Sequence, residues 1–584
     1  MKSFKRNIIK TLALAAAVTM TSSCQDFLTI YPTNSVILED FWKTKNDVDN
    51  MVANSYGMML EADFLQRLIV WGELRGDNVV EGNYQGRNEL KYIMEANLLP
   101  QNSYTSWERF YKIINNCNIV LRFAPTVMDE DPDFTQGDLD VARGEMLAIR
   151  ALCHFYLVRT FRDIPLLKEA MVDDDQNLYQ PQVTPLEALD FILEDLYEAE
   201  GLVMTSGNYP NDRDNKGRMT KNAVRAMIAD VLLWKAAFTE YETKDPASSK
   251  QYYTECIAFC DSVLNNHMKY ILQYEQEYKV TSNGVIDNQY PLERHPEKVT
   301  GGSSTLDRTY QAVFDYENNR RESILELQFT SNDANYYPYF FGSEYKAGPF
   351  AAPRYMVEAG QNTNIYKDTD YRRVINFYQK AGSDADVIPI VKGTYSGASG
   401  TLKEPEYSAS SAYSTQDDGK YFDDGQNFIL YRTADVMLMK AEALAQRNDT
   451  VVPGNKDLKD AFTLVKAIYY RSNPKLNSVS DSIKVSTNNP DQIRELVLQE
   501  RQRELAYEGK RWFDLVRKAL RDGETGPMLD ILISRKYETN QKAVRSKMTA
   551  MDCLFFPIQE REIKTNPLLK QNPAYETEDL YEKK

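Results

Sequence analysis

The sequence predicts a mainly α-helical protein, in which tetratricopeptide-like helix pairs support an irregular, loop-rich half with a few short strands. Three observations carry this expectation. Long runs with apolar residues at helical spacing occupy both ends of the chain. An alanine-rich run at residues 221–239 is followed by a second helical run at 248–265, a composition that lets two helices pack closely. Between about Tyr270 and Phe428 the helical period fades, and Gly, Asn, Ser and Tyr accumulate with turn pairs such as Asn283-Gly284 and Gly301-Gly302.

In order along the chain, residues 40–60 and 107–123 each show the helical period, the second through Phe110, Ile113, Ile114, Cys117 and Leu121. Residues 141–161 form the strongest amphipathic run, and Asp163-Ile164-Pro165 ends it because proline cannot continue a helix. Helices are expected next at 185–200, 221–239 (Ala223, Ala226, Ala229, Ala236, Ala237) and 248–265. Their spacing does not fit a strict 34-residue repeat, so the array is degenerate. Residues 322–329 (ESILELQF) alternate like a strand. Helices return at 430–446, 456–470 and 490–519. The last carries Glu500/Arg503, Glu508/Arg511 and Asp514/Arg517 at i, i+3, read as a solvated or network-paired face in preference to a catalytic set. Trp42, Trp107 and Trp512 lie in periodic helices and are expected to pack.

The N-terminus sets the expected compartment. Lys2, Lys5, Arg6 and Lys10 precede a short apolar stretch at 12–20, which closes on Thr21-Ser22-Ser23 before Cys24. The stretch is too short to span a bilayer, which needs ~20 apolar residues. Residues 1–23 therefore read as a secretory signal, and the small residues before Cys24 are similar to a lipoprotein signal that leaves that cysteine acylated. The rest divides into an N-terminal helical region, 24–265, and a C-terminal region, 266–584, with the loop-rich insert at 270–428.

Composition narrows the chemistry. A net charge of −16, more negative once the basic signal is removed, argues against nucleic acid, which needs a basic surface. Cys117, Cys153, Cys256, Cys260 and Cys553 are expected to pack as small hydrophobes. His154, His267 and His295 are too scattered to build a zinc site with them. No metal or other cofactor is expected, and no nucleophile motif or phosphate-binding glycine loop is present.

Several segments together resemble the SusD/RagB family, and in the same order. After Cys24 come Asp26-Phe27-Leu28, Pro32 and Phe41-Trp42, then residues 71–78 (WGELRGDN). Trp107, Tyr111, Ile114 and Asn118 follow, then residues 148–165, and later Tyr431-Arg432, Asp435 and Ala441-Glu442-Ala443. The most specific signature is Glu500-Arg501, Glu504-Leu505, Glu508-Gly509 and Arg511-Trp512-Phe513-Asp514-Leu515 with Arg517. Phe556-Pro557-Ile558, Asn566-Pro567 and Gln571-Asn572-Pro573 close the match. Departures are small: Gln559 where proline is common, and Arg162 where glycine is common.

The resemblance implies a non-enzymatic, lipid-anchored protein of the outer membrane of Bacteroidetes, lying as a lid on a SusC-like TonB-dependent channel. Members bind polysaccharides or oligosaccharides, and some bind peptides instead. Sugar recognition needs flat rings and planar polar side chains, and this chain has 38 tyrosines against 24 phenylalanines. Two tyrosine-bearing tracts lie where the family's ligand contacts are usually found. The expected contacts are Asp77, Tyr84, Arg87, Asn102 and Tyr104 in the first, and Tyr336, Tyr337 and Tyr339 in the second. Asn97, Tyr310, Tyr316, Tyr345 and Tyr355 lie nearby. An oligopeptide ligand, or a scaffold role without a small ligand, remains the alternative.

Overall fold

A computed structural model describes residues 41–82, 88–173, 175–277, 290–293, 313–314, 321–329, 340, 342–343, 346–347, 349–357, 365–367, 370–377, 390, 427–473, 483–537 and 540–576. Helices carry most of their regular structure. The N-terminal half holds α1 (Lys45–Leu60), α2 (Ala62–Gly72), α3 (Asn88–Met94), α4 (Glu108–Glu130), α5 (Gln136–Phe161), α6 (Pro185–Leu202), α7 (Asp212–Gly217), α8 (Lys221–Phe238) and α9 (Pro246–Glu277). The C-terminal half holds α10 (Thr433–Gln446), α11 (Lys456–Ser472), α12 (Pro490–Glu504), α13 (Arg511–Asp522), α14 (Gly526–Lys536) and α15 (Gln541–Lys547).

Polar side chains set where these helices begin. Thr184, Thr220, Asn455 and Asn489 each accept a hydrogen bond from a first-turn backbone N–H that has no partner inside its helix. Thr135 and Asp138 satisfy one another's backbone at the start of α5, and Pro185 and Pro490 stand first in α6 and α12. At its far end α5 stops on Arg162, at φ 70°, just before the proline expected to end it.

Packing follows chain order. α1 lies on α4, α4 on α5, α5 on α6, α6 on α8 and α8 on α9. α9 then packs on α10, although residues 278–432 separate them, and α10 continues onto α11 and α12. The helical stack is thus continuous in space across the loop-rich tract of the sequence. Ala223, Ala226, Ala229, Ala236 and Ala237 of α8 are all fully buried, and Ser249 of α9 reaches the Ala236 carbonyl at 3.2 Å. α9 runs past the boundary expected at 265/266, because His267 and Ile271 continue the buried face begun by Val263 and Leu264.

Strands occur in four two-stranded sheets among the described residues. β1 (Val80–Glu81) pairs with β7 (Phe350–Ala351), β2 (Ile164–Pro165) with β3 (Gln182–Val183), and β5 (Gly342–Ser343) with β6 (Lys346–Ala347). The strand expected at 322–329 is β4 (Ser323–Leu327), antiparallel to β8 (Phe428–Arg432) with a local register shift. Both are buried throughout, and β8 feeds directly into α10, so the helix expected from residue 430 starts later.

The helix expected over 490–519 is two helices. α12 ends at Glu504, the chain turns through Tyr507 (φ 65°) and Gly509 (φ 70°), and α13 starts at Arg511. The turn presses on the end of α2, where a Cβ added to Gly72 would stand 1.7 Å from the Gly509 carbonyl oxygen. Two glycines allow that approach, and Gly509 also tolerates the left-handed backbone.

Nearly all buried apolar side chains belong to one cluster spanning both halves. Trp42 stacks on Phe123 (centroids 5.8 Å apart) and Trp71 on Phe110 (4.7 Å), and Trp107 and Trp512 are buried as expected. Cys117, Cys153, Cys256 and Cys260 are buried free thiols and Cys553 is half-buried. Burial pushes the Cys117 thiol up to about 12, so it behaves as an inert hydrophobe.

Candidate ligand-binding site

The WGELRGDN tract leaves α2 and enters the core rather than the surface. Trp71 Nε1 donates to the Tyr104 carbonyl at 2.8 Å. Glu73 accepts from Asn78 Nδ2 (2.7 Å) and from the backbone N–H of Tyr507 (3.0 Å), tying the tract to the turn between α12 and α13. Lys536 Nζ, buried in α14, donates to the carbonyls of Leu74 (2.6 Å) and Gly76 (2.9 Å), and its burial brings its pKa down to about 7.

Asp77, expected to meet ligand, is fully buried. Its carboxylate accepts from Arg511 Nε (2.6 Å) and Nη2 (3.1 Å), Arg535 Nη1 (3.1 Å) and Gln502 Nε2 (2.9 Å). A carboxylate offers about four acceptor positions, and these four donors occupy them. Burial alone would raise its pKa, but Arg511 and Arg535 outweigh it and hold the group well below the usual carboxylate range. Asp77 is therefore corrected from a ligand contact to a buried counter-charge. Asn102 is corrected too: only 5% exposed, it accepts from the Tyr104 N–H and donates to the Glu89 carbonyl, both at 3.0 Å, capping the turn Ser103–Thr105.

Tyr104 is half-buried on the core, with Arg67 beside its ring at 6.0 Å. Tyr84, Arg87, Tyr336, Tyr337 and Tyr339, like Cys24 and neighbouring Tyr310, Tyr316 and Tyr345, lie outside the described residues. Tyr355 is half-buried and pinned, donating to the Asp77 carbonyl (2.7 Å) and accepting from Gln502 Nε2 (2.9 Å).

The structure does bring the two tracts together at their bases. Val80 pairs with Ala351 and Glu81 with Phe350, and the Gly82 N–H donates to the Pro349 carbonyl at 3.0 Å. Phe340 is fully buried and stacks on Phe350, centroids 4.8 Å apart. Residues just before Tyr84 and just after Tyr339 are thus anchored to one another. Tyr92 and Leu99, 44% and 55% exposed, stand on the first tract and were not singled out in the sequence. Their signal is positional: Tyr92 is the outward residue among buried Leu90, Ile93 and Met94.

The charges of the 490–519 signature form an interior network, so the network-paired alternative holds and the solvated one does not. Arg372 donates to Asp370 (2.7 Å), Glu500 (2.7 Å) and Glu504 (2.8 Å). Arg432 donates to Glu322 (3.0 Å), Glu504 (2.7 Å) and Glu508 (2.8 Å), and Arg471 bridges Glu322 and Glu504. Arg501 meets Asp514 (2.9 Å) and Asp435 (3.1 Å), while Arg517 meets Glu442 (3.0 Å) and Asp514 (2.6 Å). Each of these side chains is at most a tenth exposed. Among the described residues no group of three or more His, Cys, Asp or Glu is placed to hold a metal ion.

Residues 275–575 match the SusD family, and residues 26–233 match a family described as starch-binding associating with outer membrane. The chain belongs to the SusD family. Two SusD-like proteins of Formosa agariphila are similar to it: one is 25% identical over 584 residues, covering 98% of this chain and 100% of its own. The other is 23% identical over 509 residues, covering 85% and 88%. A SusD superfamily protein from Bacteroides fragilis shares the fold at 18% identity and TM-score 0.65, with 92% of this chain and 100% of that chain covered. B. fragilis NanU does so at 16% identity and TM-score 0.60, covering 94% and 100%. SusD-family proteins are non-catalytic binding proteins. The family's description places it at the outer membrane, and no helix among the described residues is long and apolar enough to cross a membrane.

Proposed function

We propose that this SusD-family protein captures a polysaccharide or oligosaccharide at the cell surface and delivers it to a SusC-like TonB-dependent channel. The observation that supports this reading is the β1–β7 junction, which joins residues 80–81, shortly before Tyr84, to residues 350–351, downstream of Tyr339. Rings of Tyr84, Tyr104, Tyr336, Tyr337 and Tyr339 stack on sugar faces in this reading, and Arg87 hydrogen-bonds hydroxyls around them. Acylation of Cys24, after removal of residues 1–23, holds the protein on the outer membrane beside its channel.

Each aromatic contact of this kind is worth about 0.5–1.5 kcal/mol. Replacing Tyr336, Tyr337 and Tyr339 together by alanine is expected to remove most affinity while the melting temperature stays within a few degrees. Binding of the mature protein to a glycan array and to an oligopeptide panel tests the ligand class. Binding to peptides alone, or full glycan affinity in the folded triple variant, overturns the assignment.

A further inference from the structure

A cleft of 560 Å³ opens between residues 92–99 and the C-terminal segment from Lys547 to Tyr575. Among the described residues its lining includes two cations, Arg75 and Lys547, and no carboxylate. That is unexpected by composition, since the chain has 85 acidic residues against 69 basic ones. Arg75 is only 4% exposed. Its guanidinium donates to the carbonyls of Leu554 (2.8 Å) and Cys553 and lies 4.3 Å from the Trp512 ring centroid. Among the described residues no Asp or Glu comes within ion-pair distance of it. The two carbonyls and the Tyr575 hydroxyl engage the guanidinium but leave its charge unneutralised, and a buried charge is costly unless it is countered.

The flanking acids do not supply the counter-charge. Glu95 faces Lys91 (3.8 Å) and Asp552 faces Arg162 (3.1 Å). At the rim, Lys547 is exposed and donates to Asn97 Oδ1, while Tyr92 and Leu99 present open apolar faces. A recess with net positive charge and a flat ring at its edge suits a ligand that is both a ring and an anion.

We propose that this cleft binds an anionic sugar residue, a uronate or a sulfated sugar, with its ring against Tyr92 and Leu99 and its charge facing Lys547 and Arg75. This names the ligand class for the glycan-capture reading and rests on it. The attraction arises in a recess, so it is screened by salt less than an open surface pair would be. Losing a hydrogen bond to a charged group, ~1.5–3 kcal/mol, corresponds to a tenfold or larger loss of affinity.

Calorimetric titration of the mature, membrane-extracted protein tests this. The probes are oligogalacturonates and sulfated galactan oligosaccharides, each beside its neutral counterpart, the methyl ester or the desulfated form. The expected result is at least tenfold tighter binding of an acidic probe than of its neutral form. Lys547→Glu and Tyr92→Ala should each weaken that binding about tenfold, and Lys547→Arg should retain it. Both side chains are exposed, so folding, followed by circular dichroism, should be unchanged. A preference between the two acidic series identifies the anion. Equal binding of acidic and neutral forms, or acidic binding untouched by Lys547→Glu, overturns the cleft and leaves glycan capture standing. Binding of oligopeptides alone, or of no saccharide, overturns both.

Discussion

At the scale of single residues, Asp77 shows how one position can support two readings. An aspartate beside an asparagine, ahead of a tyrosine-bearing loop, has the composition of a sugar contact. What decides its role is the approach of Arg511 and Arg535, 434 and 458 residues away in the chain. Local sequence carries no trace of that. Asn102 differs, because its role is set locally: its side chain accepts from the Tyr104 N–H two residues on and caps its own turn. Removing the charge of Asp77 would leave Arg511 and Arg535 buried without their counter-ion, and breaking a buried pair in this way costs about 3–5 kcal/mol. Asp77→Asn is therefore expected to lower the melting temperature by several degrees at neutral pH. The native pKa of Asp77 is depressed, so its stabilisation is fully present above its unfolded pKa, about 4, and is lost as pH falls through the native value. The gap between the two melting temperatures should stay constant above about pH 5 and narrow as pH falls toward 2. A gap that widens in acid would show that Asp77 is not the counter-charge of these arginines.

At the scale of elements, periodicity found the long helices but not their breaks. The apolar period runs on from α12 into α13, so residues 490–519 look continuous, although Gly509 and its contact with Gly72 make a turn obligatory. Of the three expected i, i+3 pairs, Glu500–Arg503 (2.7 Å) and Asp514–Arg517 (2.6 Å) form, whereas Glu508 meets Arg432 and Arg511 meets Asp77. Their burial was not legible, because it depends on Glu322, Arg372, Arg432 and Glu442 arriving from other elements. On α13, Trp512 is 1% exposed, donates to the Leu554 carbonyl (3.3 Å) and covers Arg75. Truncating a buried tryptophan costs about 3–5 kcal/mol. Trp512→Ala should melt several degrees lower in the ligand-free protein, as calorimetry would show. Glycan affinity measured well below the new melting point should fall far less than in the tyrosine triple variant. Unchanged melting with abolished binding would move Trp512 from the core to the site.

At the scale of the whole molecule, the α9–α10 contact explains how one helical stack can carry a long looped tract. The stack is continuous in packing order, so the tract between α9 and α10 does not interrupt it. None of its described helices is long and apolar enough to span a membrane. In the proposed reading the attachment is the acylated Cys24, after a basic and then apolar leader ending in Thr21-Ser22-Ser23. Each buried acyl CH₂ contributes about 0.8 kcal/mol, so one chain binds only marginally, whereas a cysteine carrying two or more chains is held stably by its lipid alone. In the proposed reading both the lipid and the channel hold the protein at the membrane, and a cell lacking the channel separates them. In that background Cys24→Ala should take up no labelled fatty acid and should leave the membrane fraction, while the wild-type chain stays in it. The released variant should still bind the glycan bound by the wild type, because the anchor and the β1–β7 junction are separate in the chain. A variant that remains acylated and membrane-bound would place the anchor elsewhere. One released from the membrane but unable to bind would show that the acylated terminus is also needed to shape the site.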